Sequence, residues 1–168
     1  MINAIFAVDN NGGMGLNGTL PWPHNAADLA NFKKLTHGHV VVMGSKTWND
    51  PKMPKPLPGR TVYVASNKPV SYGMQIKGDL KEQVLEIEQK HKGQEIFIIG
   101  GPAVIEECSS ILDLIHLTHF KGSYKVDTRI NLKSLLTGWE PRFATVDKDC
   151  NFTYIRYEPL FKRFARGT

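Results

Sequence analysis

The feature that most limits what this chain can become is a series of short apolar runs of β type, separated by stretches of helical periodicity. Such runs occupy Ile2–Val8, His39–Met43, Thr61–Ala65, Glu95–Ile99 and Leu114–His119. Helical patterns fall between them. In "DLKEQVLEIEQKHKG", Asp79 reads as the cap, Leu80, Val84 and Ile87 form one apolar stripe, and Gly93 reads as the stop. Strands alternating with helices predict an α/β fold, with a mostly parallel sheet covered on both faces. Arg142–Val146 and Phe152–Tyr157 alternate more evenly and predict a terminal antiparallel hairpin. "DPKMPKPLPGR", from Asp50 to Arg60, is too rich in proline for a strand and reads as a loop.

The 168 residues suit a single domain over 1–168 with a sizeable core. No apolar run approaches the ~20 residues needed to span a bilayer, so no membrane role is expected. The start, "MINAIFAVDN", has no basic leader and reads as a strand. Cys108 and Cys150 are too few for a disulfide framework, and a cytoplasmic protein is expected. The net charge is +5, but the lysines are scattered and only the tail "FKRFARGT" is concentrated. That reads as a mildly basic surface and also suits small polyanionic ligands; a basic nucleic-acid-binding module rests only on the pI of about 9.2 and the tail, and no specific nucleic acid is expected. No metal-ligand spacing is present, and no metal is expected.

One acid stands out. In "GTLPWPHNAADLANFKKLT" Asn25 reads as a helix N-cap, which makes Asp28 the third helical residue. At 100° per residue Leu35 lies about 20° from Asp28, Phe32 about 40° to the other side and Leu29 about 100° away. Asp28 therefore falls inside the apolar stripe. An acid three residues after an Asn cap fits a capping-box-like start and favours the helix dipole. A carboxylate in an apolar pocket, its pKa raised by desolvation, would instead bind a cationic or amidine-like group. The helix alone leaves both readings open.

Three strand ends offer small residues, hydroxyls and cations. Gly44, Ser45, Lys46 and Thr47 follow one strand, Ser66, Asn67 and Lys68 a second, and Gly100, Gly101 and Pro102 a third. In a parallel sheet, ligands bind beyond the carboxyl ends of strands. Each end has an ordinary explanation as a turn, but together they suit phosphate groups. No GxGxxG is present and "GSKT" lacks P-loop spacing, so a nucleotide would be held in another manner.

The motifs "AVDNNGGMGLNGTLPWP", "ADLANFKKLT", "VVMGSKTW", "PLPGR", "IIGGPAV", "HLTH" and "DT" follow one another from residue 2 to about 130 in an order that resembles dihydrofolate reductase. The resemblance implies a mixed, mostly parallel eight-stranded sheet, about four helices and a C-terminal antiparallel hairpin. It implies hydride transfer from NADPH to 7,8-dihydrofolate, giving 5,6,7,8-tetrahydrofolate, in a monomer.

Its residue roles carry over position by position. Asp28 matches the pterin-binding carboxylate, Thr118 the threonine that orients it, and Trp22 a residue that holds a nearby water. Ile5, Ala7, Leu29, Phe32, Lys33, Leu57 and Ile99 would line the substrate slot, and Arg60 would clamp the glutamate α-carboxylate. Gly12 to Leu20 matches a flap that closes over nicotinamide. Within it Gly15, Leu16, Asn17, Gly18 and Thr19 would meet the cofactor and Leu20 the reaction centre. Gly44, Ser45, Lys46, Thr47, Ser66, Asn67 and Lys77 would hold the adenosine phosphates. Ile99, Gly100, Gly101, Pro102, Ala103 and Val104, with a cis Gly–Gly pair, would meet the pyrophosphate, and Ala7 would touch cofactor as well as substrate.

The sequence departs from the family at several places. Ser45 and Asn67 stand where members often carry arginine or lysine for the 2′-phosphate, and Lys46 and Lys68 could compensate. Val126 precedes "DT" where glycine is common. Asp50–Pro56 is longer than in compact bacterial members. A related reductase of riboflavin synthesis shares the fold but should lack the Trp22–Asp28–Arg60 set.

Overall fold

A computed structural model describes residues 1–161; the basic tail singled out above lies outside these residues except for Phe161. Among the described residues, eight strands form one sheet. In chain order they are β1 (Ile2–Val8), β3 (Val40–Gly44), β4 (Thr61–Ala65), β5 (Met74–Ile76), β6 (Ile96–Gly100), β7 (Leu114–Phe120), β9 (Trp139–Val146) and β10 (Phe152–Pro159). Their order across the sheet is β5-β4-β3-β6-β1-β7-β10-β9. All pairings are parallel except those of β10, which runs antiparallel to β7 and β9. A separate two-stranded ribbon pairs β2 (Gly13–Gly15) with β8 (Thr128–Arg129).

The helices are α1 (Ala26–Thr36), α2 (Ser45–Trp48), α3 (Leu80–Lys90), α4 (Pro102–Glu107) and α5 (Leu132–Leu135), with a 3₁₀ turn at Ser109–Ile111. The five helices agree with the about four that the resemblance implies; α2 and α5 are single turns, too short to leave a periodic signature of their own. Central strands are continuous apolar runs because both faces are covered. Alternate residues of β1 show this: Ile2, Ala4, Phe6 and Val8 join a cluster with Leu80, Val84 and Ile87 of α3 and Ile105 of α4. Ile5 faces the other way, toward Trp48, Leu57, Phe97 and, at the margin, Phe32 and Leu35 of α1.

The expected strands at 39–43 and 95–99 are each displaced by one residue. Gly44 still pairs with Ala65, and Gly100 with Met43, so the ladders run into the glycines. The hairpin strands keep their expected turn-side ends, Val146 and Phe152, and are longer only at the open end, where Trp139 still pairs with Pro159. Helix α3 has its Asp79 cap, whose side chain accepts from the Glu82 N–H at 2.9 Å. It stops at Lys90, short of Gly93: the His91 ring is fixed by Tyr63 Oη at 2.7 Å and by Gln94 at 3.2 Å, and Gly93 lies in the following turn with φ +87. No helix among the described residues is long and apolar enough to cross a membrane.

The chain moves outward from β1 to β3, β4 and β5, then returns to insert β6 beside β1. That reversal opens a crevice at the carboxyl ends of the strands, where ligands bind in open α/β sheets.

Candidate active site

Asp28 satisfies both of its sequence readings. The Asn25 side chain caps α1 by accepting the Asp28 backbone N–H at 3.0 Å. The Asp28 side chain is partly buried, and burial pushes its carboxyl above the ordinary range, opposed by hydrogen bonding to the Thr118 side chain. Thr118 is buried on β7, directly opposite Ala7 of β1, with Ile5 one step along the same face. Only Thr36 of α1 is buried. Phe32 and Leu35 lean on the apolar cluster, while Leu29 is 42% exposed at the rim of the cleft between α1 and the sheet.

Trp22 closes the inner side. It is buried, stacked on Phe120 at 4.5 Å and met edge-on by Tyr124 at 5.9 Å. Its Nε1 is buried and has no partner among the described residues, and the same holds for Thr19 Oγ1. A buried indole N–H without a partner, close to Phe120 and Tyr124, fits a site built to receive a polar group.

Arg60 sits at the outer end. Its Nε donates to the Pro58 carbonyl at 2.9 Å and its Nη1 to Thr36 Oγ1 at 3.3 Å. The guanidinium stands 6.0 Å from the Phe32 ring centre. Gly59, at φ +74, backs so closely on the His37 ring that a side chain there would collide with it. Buried Leu57 floors this end, and Lys33 is exposed beside it on α1.

The predicted phosphate segments converge at the carboxyl ends of β3, β4 and β6. A Cβ on Gly44 would lie 3.1 Å from Val104 Cγ2, 3.8 Å from the Gly100 carbonyl and 3.9 Å from the Gly101 nitrogen. A Cβ on Gly100, whose φ is +139, would lie 3.3 Å from Thr47 Oγ1. The Gly100–Gly101 peptide is cis, as expected, and Pro102 opens α4. Ser45, Lys46 and Thr47 form the first turn of α2. Ser66 Oγ accepts the Lys68 N–H at 3.1 Å and donates to the Lys68 carbonyl at 3.0 Å. The Ser66 N–H bonds the Ile76 carbonyl at 3.3 Å, which draws Lys77 alongside Ser66 and exposed Asn67. Ile99 is partly buried against the α1-side cluster, and Ala103 is exposed on α4. Small residues, backbone amides and lysines thus border one cradle that side chains would fill, a fit for a dinucleotide.

A family model for dihydrofolate reductase matches residues 1–158. The chain belongs to the dihydrofolate reductase family. It is 30% identical over 165 residues to dihydrofolate reductase type 8 of Escherichia coli, covering 94% of this chain and 96% of that one. It is 36% identical over 129 residues to the dihydrofolate reductase of Bacillus subtilis (strain 168), covering 76% and 73%. The solved dihydrofolate reductase from Enterococcus faecalis, complexed with NADP(H) and RAB-propyl, superposes with a TM-score of 0.80 at 27% identity, over 95% of this chain and 96% of that one. The enzyme class is therefore an NADP-linked oxidoreductase, with NADPH as cofactor.

In this chain the loop from Gly12 to Leu20 is tied by hydrogen bonds within itself and to Asp127 of the "DT" motif. The Leu16 N–H bonds the Thr19 carbonyl at 2.9 Å and the Thr19 N–H bonds the Leu16 carbonyl at 3.1 Å. Asn17 and Gly18 between them have φ +53 and +81, which makes the flap tip a two-residue hairpin turn. The Asp127 N–H bonds the Gly15 carbonyl at 2.9 Å, and Asp127 Oδ2 accepts the Asn17 N–H at 2.9 Å. The flap contact is thus present with Val126 in place of glycine, the Val126 Cγ1 filling the space beside Gly13. Leu20 is 44% exposed. Asp9, which lies in the first of the quoted motifs but carries no assigned role there, is buried at the base of this loop. Its Oδ1 accepts the Asn11 and Gly13 N–H groups at 2.8 Å each, and its Oδ2 the Tyr124 N–H at 3.0 Å. Its sequence signals are its place in that motif and its position directly after an apolar strand.

Proposed function

We propose that this single-domain, monomeric, cytoplasmic enzyme reduces 7,8-dihydrofolate to 5,6,7,8-tetrahydrofolate. The reading rests on one observation above all: a partly buried carboxylate, Asp28, meets Thr118 across a cleft whose outer end carries Arg60. An anion between apolar walls suits the amidine-like edge of a pterin, accepting hydrogen bonds from its 2-amino group and N3. When bound, NADPH supplies the hydride that C6 receives.

The chain's own residues supply position and charge. Asp28 fixes the pterin and stabilises the positive charge that develops on protonation at N5. A side chain bound at N3 does not reach N5, so water carries the proton, and the free Trp22 Nε1 is placed to hold such a water. Thr118 keeps the carboxylate in register. Ile5, Ala7, Phe32, Leu57 and Leu29 enclose the rings, and Arg60 takes the α-carboxylate in a bidentate grip. The flap, with Leu20 near its end, excludes bulk water. Lys46, Lys68 and Lys77 supply the positive charge for the 2′-phosphate that Ser45 and Asn67 lack.

The test is dihydrofolate-dependent oxidation of NADPH by the purified protein, run beside NADH. Turnover with a preference for NADPH is the expected result. Failure of dihydrofolate to elicit oxidation of either nucleotide overturns the reading.

A further inference from the structure

Two side chains beside the Asp28–Thr118 pair take no part in gripping substrate or cofactor: His116 of β7 and Tyr154 of β10. His116 opens the "HLTH" motif two residues before Thr118, so both side chains leave the same face of β7. Along β1 the two stand opposite Ile5 and Ala7, the sheet-side wall of the cleft. Tyr154 is directly opposite Thr118 in the antiparallel ladder, a placement that sets Cβ atoms about 4.5–5.5 Å apart. His116 Nδ1 and Tyr154 Oη are 2.6 Å apart, and the two rings stack at 6.0 Å with 13° between their planes.

Each ring is also held from its far side. Phe143 of β9 meets Tyr154 edge-on at 6.3 Å, and Phe97 of β6 meets His116 at 5.8 Å. Phe97 belongs to the apolar cluster on which Phe32 and Leu35 of α1 rest. Helix α1 carries Asp28 and strand β7 carries Thr118. His116 therefore touches the support of one and shares the strand of the other. A ring pair at that joint bears on the separation between them, because packed interiors transmit small displacements.

Both rings are uncharged at neutral pH. Burial pushes the His116 pKa down to about 4 and the Tyr154 pKa above its ordinary value. The charged groups that act on His116 are Glu95, just before β6, and Arg156 of β10. Deleting the bond between the rings removes no charge from the neighbourhood of Asp28. An effect on that carboxylate then comes through geometry.

We infer that His116 and Tyr154 are positioning residues for the reduction: joined as one unit, they hold the Thr118 hydroxyl in register with the Asp28 carboxylate. The inference rests on the reading given under Proposed function. A Thr118 that drifts gives up the hydrogen bond that opposes the effect of burial on Asp28, and the carboxyl then keeps its proton to higher pH.

The experiment follows kcat/KM for dihydrofolate from about pH 5 to about pH 9 at saturating NADPH, a profile that reports ionisations of the enzyme before dihydrofolate binds. The proteins are the parent, Tyr154→Phe, His116→Phe, the double variant and Ile87→Val, a core substitution on the other face of the sheet. Asp28→Asn identifies the midpoint that belongs to Asp28, since it disappears there. Breaking the pair is expected to raise that midpoint by about 0.5–1 pH unit, the scale of one net hydrogen bond. On the sloping limb kcat/KM changes by roughly 3–10-fold, and KM for NADPH stays as in the parent. Denaturant titrations run alongside. The double variant recovers stability but not the midpoint, because two phenyl rings fill the space without a bond to pin them. Ile87→Val loses stability and keeps the parent's midpoint. A parent profile with no such midpoint, a parent-like midpoint in the double variant, or an equal shift in Ile87→Val overturns the inference and leaves the reductase reading intact. A parent protein that oxidises neither NADPH nor NADH on addition of dihydrofolate overturns both.

Discussion

The Asp9 carboxylate at the end of β1 accepts the backbone N–H of Tyr124 at 3.0 Å, joining positions 115 residues apart in the chain. Tyr124 in turn meets the edge of Trp22 at 5.9 Å. The base of the flap and the indole of the cleft are therefore held by one buried acid. Burial alone would raise its pKa, but hydrogen bonds from Tyr124, Asn11 and Gly13, with Arg129 nearby, bring it below the ordinary carboxylate value. A lowered native pKa means the unfolded chain binds the proton more readily, so the stability is present above the unfolded carboxylate pKa and is lost as pH falls. Asp9→Asn is expected to cost about 1–3 kcal/mol, because the amide turns one acceptor into a donor against buried N–H groups. Urea unfolding at pH 7 and near pH 3 checks this: the gap between variant and parent narrows in acid. Stopped-flow hydride transfer should also slow, with KM for dihydrofolate little changed.

Asp28→Asn separates activity from stability. The kcat/KM for dihydrofolate is expected to fall about 10²–10⁴-fold at neutral pH, the range of a lost acid–base or charge-stabilising group. Its folded pKa is raised, so the native state retains a proton that the unfolded chain gives up, and the ionised side chain weakens the fold as pH rises through that interval. The amide has no such charge. Thermal unfolding at pH 7 should show the variant at least as stable as the parent, and the advantage should vanish in acid.

Arg60→Gln tests the outer end. Losing a charge-assisted pair of about 1.5–3 kcal/mol should raise KM for dihydrofolate by about 10–100-fold with kcat nearly retained. Dihydropteroate, which lacks the glutamate, should show no comparable change. Steady-state kinetics with both substrates decides it.

The pair His116–Tyr154 offers a double-mutant cycle behind Thr118. His116 Nδ1 and Tyr154 Oη are 2.6 Å apart, and burial pushes the His116 pKa down to about 4. Because the unfolded imidazole takes a proton near 6.5, this pair contributes stability that is lost as pH falls from about 6.5 toward 4. His116→Phe or Tyr154→Phe alone should cost about 1–3 kcal/mol by orphaning the partner, and the double variant should recover much of it. Denaturant titrations of the four proteins measure the coupling.

Much of the architecture could be read from residue patterns because it is locally encoded. The buried strands are continuous apolar runs, Asp79 and Asn25 are caps at their expected places, and Asp28 stands third in its helix. Three-residue strands such as β2 and β5 carry no period to detect, and they exist only because a neighbouring strand is present to bond them. The same reason hides Asp9 and the seat of Arg60. Each depends on a hydrogen bond to a residue far along the chain, Tyr124 in one case and Thr36 in the other. Family resemblance, not pattern, supplied the roles of Arg60 and Thr118. The wheel sets Leu35 and Phe32 close to Asp28 and Leu29 about 100° away; Phe32 and Leu35 pack on the core and Leu29 stays 42% exposed.

The hairpin turn at Asn17–Gly18 bears on how the flap works from cycle to cycle. Its tip is already folded, with both cross-turn bonds made between Leu16 and Thr19. Swinging such a tip moves it as a stiff paddle whose own dihedral angles need not be sorted afresh at every turnover. The ordering entropy of closure then falls mainly on the few hinge residues at its root. Under the proposed flap role, the tempo of opening and closing is then set at that root, and changes to the outward face of the paddle should leave it alone.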